Sequence, residues 1–308
     1  MKYQKIILAG GNGYLGRVLA RFYQPLAKEV IILSRKAKAV DGNIKTILWD
    51  GRTEGEWVKS LNGADLLINL CGKNVNCRYT PKNKLEIINS RIVPTTLLGK
   101  VVEEMDAPPK VWINTSSATI YRHAEDRPQD EETGEIGAGF SIDVCRQWEE
   151  AFFKSTTPHT RKIALRIGIV LGRTDSAFPR LLNLVKLGLG GKQGTGEQYV
   201  SWVHEQDVVR CTEWILNHEE LRGVINCTAP EPVKNADLMK IICHAYGIPF
   251  GLPAPTWLLE IGAGLIGTET ELILKSRWVL PKRLTESRYP FLFAKAEYAV
   301  NDLLSTKH

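Results

Sequence analysis

At 308 residues the chain is long enough for one large domain or two modest ones, and its 44% apolar and 24% charged residues exclude a disordered or fibrous protein. The net charge of +6 is mild and its basic residues are scattered without aromatic interleaving, so nucleic acid is not an expected partner. Six cysteines, with no Cys-x-x-Cys pair and no Cys/His spacing suited to zinc, read as reduced thiols of a cytoplasmic protein with no metal site.

Short β-rich runs alternate with helical patterns, the arrangement of parallel strands joined by helical crossovers. Strands are expected at residues 5–9, 30–33, 44–49, 66–70, 111–115, 163–171 and 224–227. The clearest helices are 81–105, which Pro94 is placed to kink or interrupt, and 140–154. Residues 187–196 hold five glycines and read as a mobile loop. The apolar run at the start, Ile6-Ile7-Leu8-Ala9, is too short for a signal peptide, and 257–267 is about half a membrane span with Glu260 inside it; no membrane association is expected. The fold class is therefore α/β, a Rossmann-type doubly wound parallel sheet over residues 1–170. A smaller, mostly helical C-terminal lobe and cleft segments follow over 171–308, with pieces near 200–230 rejoining the sheet.

Gly10-Gly11-Asn12-Gly13-Tyr14-Leu15-Gly16 directly follows the first strand and opens a helix. Glycines at 10, 13 and 16 permit a tight turn, let backbone approach a pyrophosphate and aim a helix N-terminus at its charge. The second strand ends at Ser34-Arg35-Lys36, roughly 20 residues beyond Gly16, where an NAD site carries an acid for the ribose 2′-hydroxyl. No acid lies between Val30 and Val40. A hydroxyl and two cations suit a 2′-phosphate instead, so NADP(H) is the expected cofactor.

With these residues in place, the chain resembles the extended short-chain dehydrogenase/reductase superfamily. More closely it is similar to the atypical branch labelled nucleoside-diphosphate-sugar epimerase, with a small C-terminal domain. The matching segments run in order: Gly10 to Gly16, Trp49-Asp50, Asn69-Leu70-Cys71-Gly72, Ser116-Ser117-Ala118-Thr119-Ile120-Tyr121, and Cys145-Arg146-Gln147-Trp148-Glu149. Arg166 to Gly172, Ser201-Trp202-Val203-His204 with Asp207, Asn226 with Ala229-Pro230, and Arg277-Trp278-Val279-Leu280-Pro281 complete them. The resemblance implies Asp50 near adenine, Leu70, Cys71 and Gly72 beside the nucleotide, and Val170 beside the nicotinamide half. Glu86 and Arg91 match an acid-then-Arg pair on the long helix that the resemblance implies crosses the cofactor, which makes both expected cofactor contacts, with the Arg91 guanidinium within reach of phosphate or ribose oxygens.

Ordinary members of that superfamily move a proton with Tyr-x-x-x-Lys on the helix after the fifth strand. Aligned through Trp148-Glu149, those positions are Ser141 and Cys145 here, a very weak acid and a thiol that brings no positive charge. Ser117 stands at the usual catalytic-serine position, and Tyr121 is the nearest phenol, expected at the mouth of the site beside Arg122. His204, next to Glu205 and Asp207, reads as a structural histidine. The expected function is an NADP(H)-dependent oxidoreductase or epimerase acting on a carbonyl or nucleotide-sugar-like substrate. The alternative is a non-catalytic NADP-responsive binding or regulatory protein. Lys192, Lys275, Arg277, Lys282 and Arg283 suggest an anionic small-molecule substrate. A homodimer through helices 81–105 and 140–154 is also expected, using Leu97, Leu98, Val101, Val102, Val144, Phe152 and Phe153.

Overall fold

The computed structural model describes residues 1–36, 40–256 and 274–305. The first half of the chain builds strands β1 (Tyr3–Ala9), β2 (Ala27–Ser34), β3 (Ile44–Leu48), β4 (Leu66–Asn69) and β5 (Val111–Ser117). Between them run helices α1 (Tyr14–Tyr23), α2 (Trp57–Leu61) and α3 (Pro81–Glu103), and after β5 comes α4 (Phe140–Lys154). The second half adds β6 (Arg161–Ile167), β7 (Ile169–Leu171), α5 (Ala177–Lys186), β8 (Tyr199–Val200), β9 (Trp202–His204) and α6 (Glu205–Asn217). It ends with β10 (Gly223–Cys227), β11 (Val233–Lys234), α7 (Asn235–Tyr246), α8 (Lys282–Glu286) and α9 (Ala296–Leu304).

Seven strands form a parallel sheet in the order β10-β6-β5-β4-β1-β2-β3. Alternation along β1 assigns its two faces: Ile6 and Leu8 pack with Leu19 and Tyr23 of α1 and Val208 and Ile215 of α6. Ile7 and Ala9 pack with Leu98 and Val102 of α3 and Phe152 of α4. Both faces are thus covered, as a parallel sheet of near-continuous apolar strands requires. Chain order reverses between β1 and β4, which opens a crevice beyond their carboxyl ends. A third apolar cluster joins α5, α7 and α9 around Leu171, Trp202 and Phe178, forming the smaller C-terminal region.

The expected helix at 140–154 is α4 to the residue, and α3 runs unbroken through Pro94. Pro94 is buried, and the next residue, Thr95, is held on three sides. Its hydroxyl donates to the Arg91 carbonyl (2.7 Å) and accepts from Asn69 Nδ2 and Trp148 Nε1, both at 2.9 Å. Tertiary anchoring on both sides of the lost backbone hydrogen bond keeps the helix continuous. The strand expected over 163–171 breaks at Gly168, where the chain changes partners: Gly168 N–H bonds Cys227 in β10, and Ile169 N–H bonds Ser201 beside β9. A Cβ at Gly168 would lie 2.6 Å from the Ser201 carbonyl oxygen. Of the segments expected to rejoin the sheet, only β10 does so, while β9 pairs with β7.

The glycine-rich loop at 187–196 is pinned. Gly191 and Gly194 N–H groups donate to Leu252 and Ala254 carbonyls, and Gln193 is buried with its N–H on Asn235 Oδ1 at 2.8 Å. The side chains expected to form a dimer interface are largely consumed within the chain: Leu98, Val101, Val102, Val144 and Phe152 are buried, and only Phe153 stays exposed. The apolar stretch 257–267 lies outside the described residues. Among those described, no helix is long and apolar enough to cross a membrane, and all six cysteines are free thiols.

His204 is structural in the way expected. It is buried, its Nδ1 accepts from the Gln206 N–H at the start of α6 (3.2 Å), and its ring lies against Phe293 at 3.9 Å. Nε2 therefore carries the proton and faces Asp302 at 3.4 Å. Burial lowers its pKa from 6.5 to about 4. The folded state thus resists a proton that the unfolded chain accepts, so this stabilisation is complete above pH 6.5 and is lost as pH falls toward 4. Urea titrations at pH 7 and pH 5 should show a steeper acid loss in the native protein than in His204→Asn, which keeps a capping acceptor, by roughly 1 kcal/mol per pH unit. Equal losses would contradict this account.

Candidate functional site

The floor of the crevice is backbone. Gly10 takes φ +73°, and a Cβ there would meet Cys71 Sγ at 2.8 Å and Cys71 backbone at 3.1 Å. A Cβ on Gly16 would lie 2.2 Å from the Gly11 carbonyl oxygen, so α1 can start only where a glycine lets it press on the turn. Above Gly13 the space is open, and Gly13 caps α1 with no side-chain hydrogen bond. The first N–H groups of α1 therefore face that space with their partial positive charge, which fits a pyrophosphate.

Side chains fix the turn after β4. Asn69 is fully buried; its Oδ1 accepts from Cys71 N–H at 3.1 Å and its Nδ2 donates to Asn114 Oδ1 at 2.7 Å. Leu70 N–H donates to the Ala9 carbonyl at 2.8 Å, tying this turn to the glycine loop. Burial pushes the Cys71 thiol up to about 12, so it is neutral packing under the loop, within the field of Arg35. Tyr14 leans from α1 onto the end of β7, where a Cβ on Gly172 would lie inside bonding distance of its hydroxyl. That hydroxyl is buried and has no hydrogen-bond partner. Leu15 packs partly buried against the core and Val170 pairs with Val203 at the opposite lip.

At the end of β2, Ser34 is buried, and its hydroxyl accepts from Asn12 Nδ2 and from Lys36 N–H. Asn12 thereby clamps the glycine loop to the strand end. Arg35 and Lys36 are exposed there, and no carboxylate lies between Val30 and Lys36. Asp50 is exposed, and its carboxylate accepts from the backbone N–H groups of Thr53 and Arg52, which lower its pKa. It therefore shapes the turn after β3.

One expected placement is corrected. Tyr121 is not at a mouth: it is 1% exposed, donates to Asn226 Oδ1 at 3.0 Å and accepts from Arg166 Nη1 at 2.9 Å. Burial raises its pKa against the opposing charge of Arg166, so its proton is tightly held. Glu86 pairs with Lys73 at 2.5 Å on an exposed helix face. Arg91 turns inward instead. Its Nη1 reaches the Ile87 and Lys73 carbonyls at 3.0 and 3.2 Å, its guanidinium lies 5.1 Å from the Trp148 ring, and a Cβ on Gly72 would be 3.1 Å from its central carbon.

Beyond β5, Ser117 is half-buried and its hydroxyl accepts from Thr119 N–H at 3.2 Å, leaving its own proton to give. Arg122 is held by Asp126 and Glu135, which offset its charge. Of the basic cluster in the tail, Lys282 pairs with Glu132 and Arg283 holds the carbonyls of Arg222 and Val224. Arg277 is buried with Nε on Thr119 Oγ1 at 3.1 Å, and Lys275 Nζ is 3.5 Å from the Thr119 carbonyl oxygen. Cys145 is buried, and burial pushes its thiol up to about 11 against the charges of Arg91, Arg166 and Arg277. Tyr79, from the loop before α3, brings its hydroxyl to 3.5 Å from Ser141 Oγ. No sequence pattern pointed to Tyr79.

A buried ion pair supports this whole edge. Arg166 on β6 meets Glu149 on α4 through Nε at 2.8 Å and Nη2 at 2.7 Å, and Ser116 donates to the same carboxylate at 2.6 Å. Glu149→Ala leaves that guanidinium uncompensated and should cost about 3–5 kcal/mol in a urea titration. A loss below about 1 kcal/mol would contradict the role given to the pair.

The profile of the NAD dependent epimerase/dehydratase family matches residues 6–227, and Domain of unknown function (DUF1731) matches 254–303. The chain is similar to epimerase family protein YfhF of Bacillus subtilis (strain 168), 29% identical over 98% of each chain. The crystal structure of human epimerase family protein SDR39U1 with NADPH superposes with a TM-score of 0.86 at 26% identity, over 97% of this chain and 99% of that one. A nucleoside-diphosphate sugar epimerase from Corynebacterium glutamicum gives a TM-score of 0.77 at 28% identity, over 98% of this chain and 58% of that one.

Proposed function

The chain belongs to the NAD dependent epimerase/dehydratase family, and we propose that it is an NADP(H)-dependent oxidoreductase or epimerase acting on a small carbonyl or nucleotide-sugar-like substrate. The observation that carries the cofactor reading is the β2 end, where a buried Ser34 hydroxyl and two exposed cations stand without an acid. NADPH in the similar human structure supports the same reading. Gly10, Gly13 and Gly16 leave room for the pyrophosphate, and Tyr14, Leu15 and Val170 line its two sides. Leu70, Cys71 and Gly72 form the floor beneath the ribose, with Arg91 next to Gly72. Arg35 and Lys36 neutralise the 2′-phosphate, and Ser34 contributes a hydroxyl. Asp50 shapes the adenine end through its turn.

The bound cofactor supplies or accepts a hydride. Ser117 orients a substrate oxygen with its free proton, and Arg277 with Lys275 attracts an anionic group near Thr119. A non-catalytic, NADP-responsive role is favoured by one observation only: the α4 positions Ser141 and Cys145 carry a hydroxyl and a buried, neutral thiol. The cations gathered from α3 and the tail favour chemistry.

Fluorescence titration at fixed salt should show NADPH binding at least tenfold more tightly than NADH. Arg35→Ala should weaken NADPH roughly tenfold, about 1.4 kcal/mol, and leave NADH unchanged. Equal affinities in the native protein would overturn the cofactor assignment.

A further inference from the structure

We infer that Tyr79 is the proton donor of this site, with the Ser141 hydroxyl as its relay and Arg91 as the cation that stabilises its anion. The inference rests on the oxidoreductase reading above. Three elements meet to make this constellation: the loop ahead of α3 brings the phenol, the first turn of α4 brings the serine, and the body of α3 brings the guanidinium. Tyr79 Oη and Ser141 Oγ are 3.5 Å apart, and the Tyr79 ring is steadied edge-on by Phe140 at 4.7 Å. A separation of that length is common for catalytic hydrogen bonds before substrate arrives and tightens them.

Position in the fold puts the group at the crevice. The Arg91 guanidinium lies on Gly72, in the turn that touches the glycine loop through Cys71 and Gly10. Arg91 is largely withdrawn from water, and burial lowers its pKa; the groups that oppose this by favouring its charged form are Cys145 and Tyr79. No carboxylate pairs with Arg91 among the described residues. A buried cation in that state gains most from a nearby oxyanion. Of these two groups, Cys145 is held neutral by burial, and the phenol is the one the proposed step deprotonates.

The Tyr79 O–H bond breaks and its proton passes to the substrate's carbonyl oxygen, while the carbonyl carbon takes a hydride from the reduced nicotinamide, which becomes oxidised. The phenolate oxygen keeps the electron pair beside Arg91 and recovers a proton from solvent through Ser141. Tyr121, whose hydroxyl is committed to Asn226 and Arg166, takes no part.

The test uses the full-length protein and three variants, Tyr79→Phe, Ser141→Ala and Arg91→Met, with Arg91→Lys as the conservative control. Ultraviolet difference titration without cofactor identifies the phenol lost in Tyr79→Phe. That transition should move to higher pH in Arg91→Met and return toward the native position in Arg91→Lys. With NADPH and a reactive dicarbonyl as the probe, Tyr79→Phe should lower the single-turnover rate roughly 100-fold or more while NADPH affinity changes less than about twofold. Ser141→Ala should give a smaller loss. An unmoved phenol transition in Arg91→Met overturns the pairing whatever the activity. A Tyr79→Phe protein that reduces the probe at the native rate, or a native protein that binds NADPH and reduces no dicarbonyl, overturns the donor role. Failure of the native protein to bind NADPH overturns the parent reading first, and the titration still decides the pairing.

Discussion

The site depends on how closely two turns approach each other. Gly10, at φ +73°, lets the loop after β1 lie on Cys71 in the turn after β4 with no side chain of its own between them. Gly16 lets α1 begin against Gly11. Asn69, bound to Asn114 and Cys71 N–H, holds the second turn from below. Once backbone touches backbone there, the N-terminus of α1 must face the open space above Gly13, and a phosphate-sized anion is the ligand that its dipole and unpaired N–H groups accept. Everything else in the crevice is placed relative to that contact.

Charge in the crevice follows a second logic. On α4, the helix that lines the far wall, the inward positions are Ser141 and Cys145, neither of which is cationic at neutral pH. Positive charge arrives from elsewhere: Arg91 from α3, Arg277 from the tail and Arg35 from the end of β2. Arg166 is different in kind, because Glu149 neutralises it across the sheet–helix boundary and fixes the strand end that carries Ser116 and Ser117. One guanidinium is thus matched with an acid and serves the fold, while Arg91 has no matched acid among the described residues and is available to a ligand or a developing anion.

Much of the fold was legible because its signals are local. Short β-rich runs between helical patterns marked the parallel strands, and α4 emerged with its expected bounds. The glycine loop and the missing acid after Val30 are each read within a short stretch, roughly 20 residues apart. What escaped the sequence depends on distant pairs. Pro94 leaves α3 intact because Thr95 is held by Asn69 and Trp148. Tyr121, expected at the mouth of the site, is instead closed in by Arg166 and Asn226. Tyr79 sits in an unpatterned loop, and its neighbour Ser141 lies 62 residues away, so no spacing rule could join them.

The central claim is that the crevice at β1 and β4 holds NADP with its reactive end turned toward the Tyr79–Ser141 pair. A crystal structure of the full-length protein with NADP⁺ tests it most directly. The account predicts pyrophosphate over Gly13, the 2′-phosphate against Ser34 and Arg35, and the nicotinamide ring facing Tyr79, Ser141 and Val170. An adenine half beside Tyr79, or a dinucleotide bound away from the glycine loop, would contradict it.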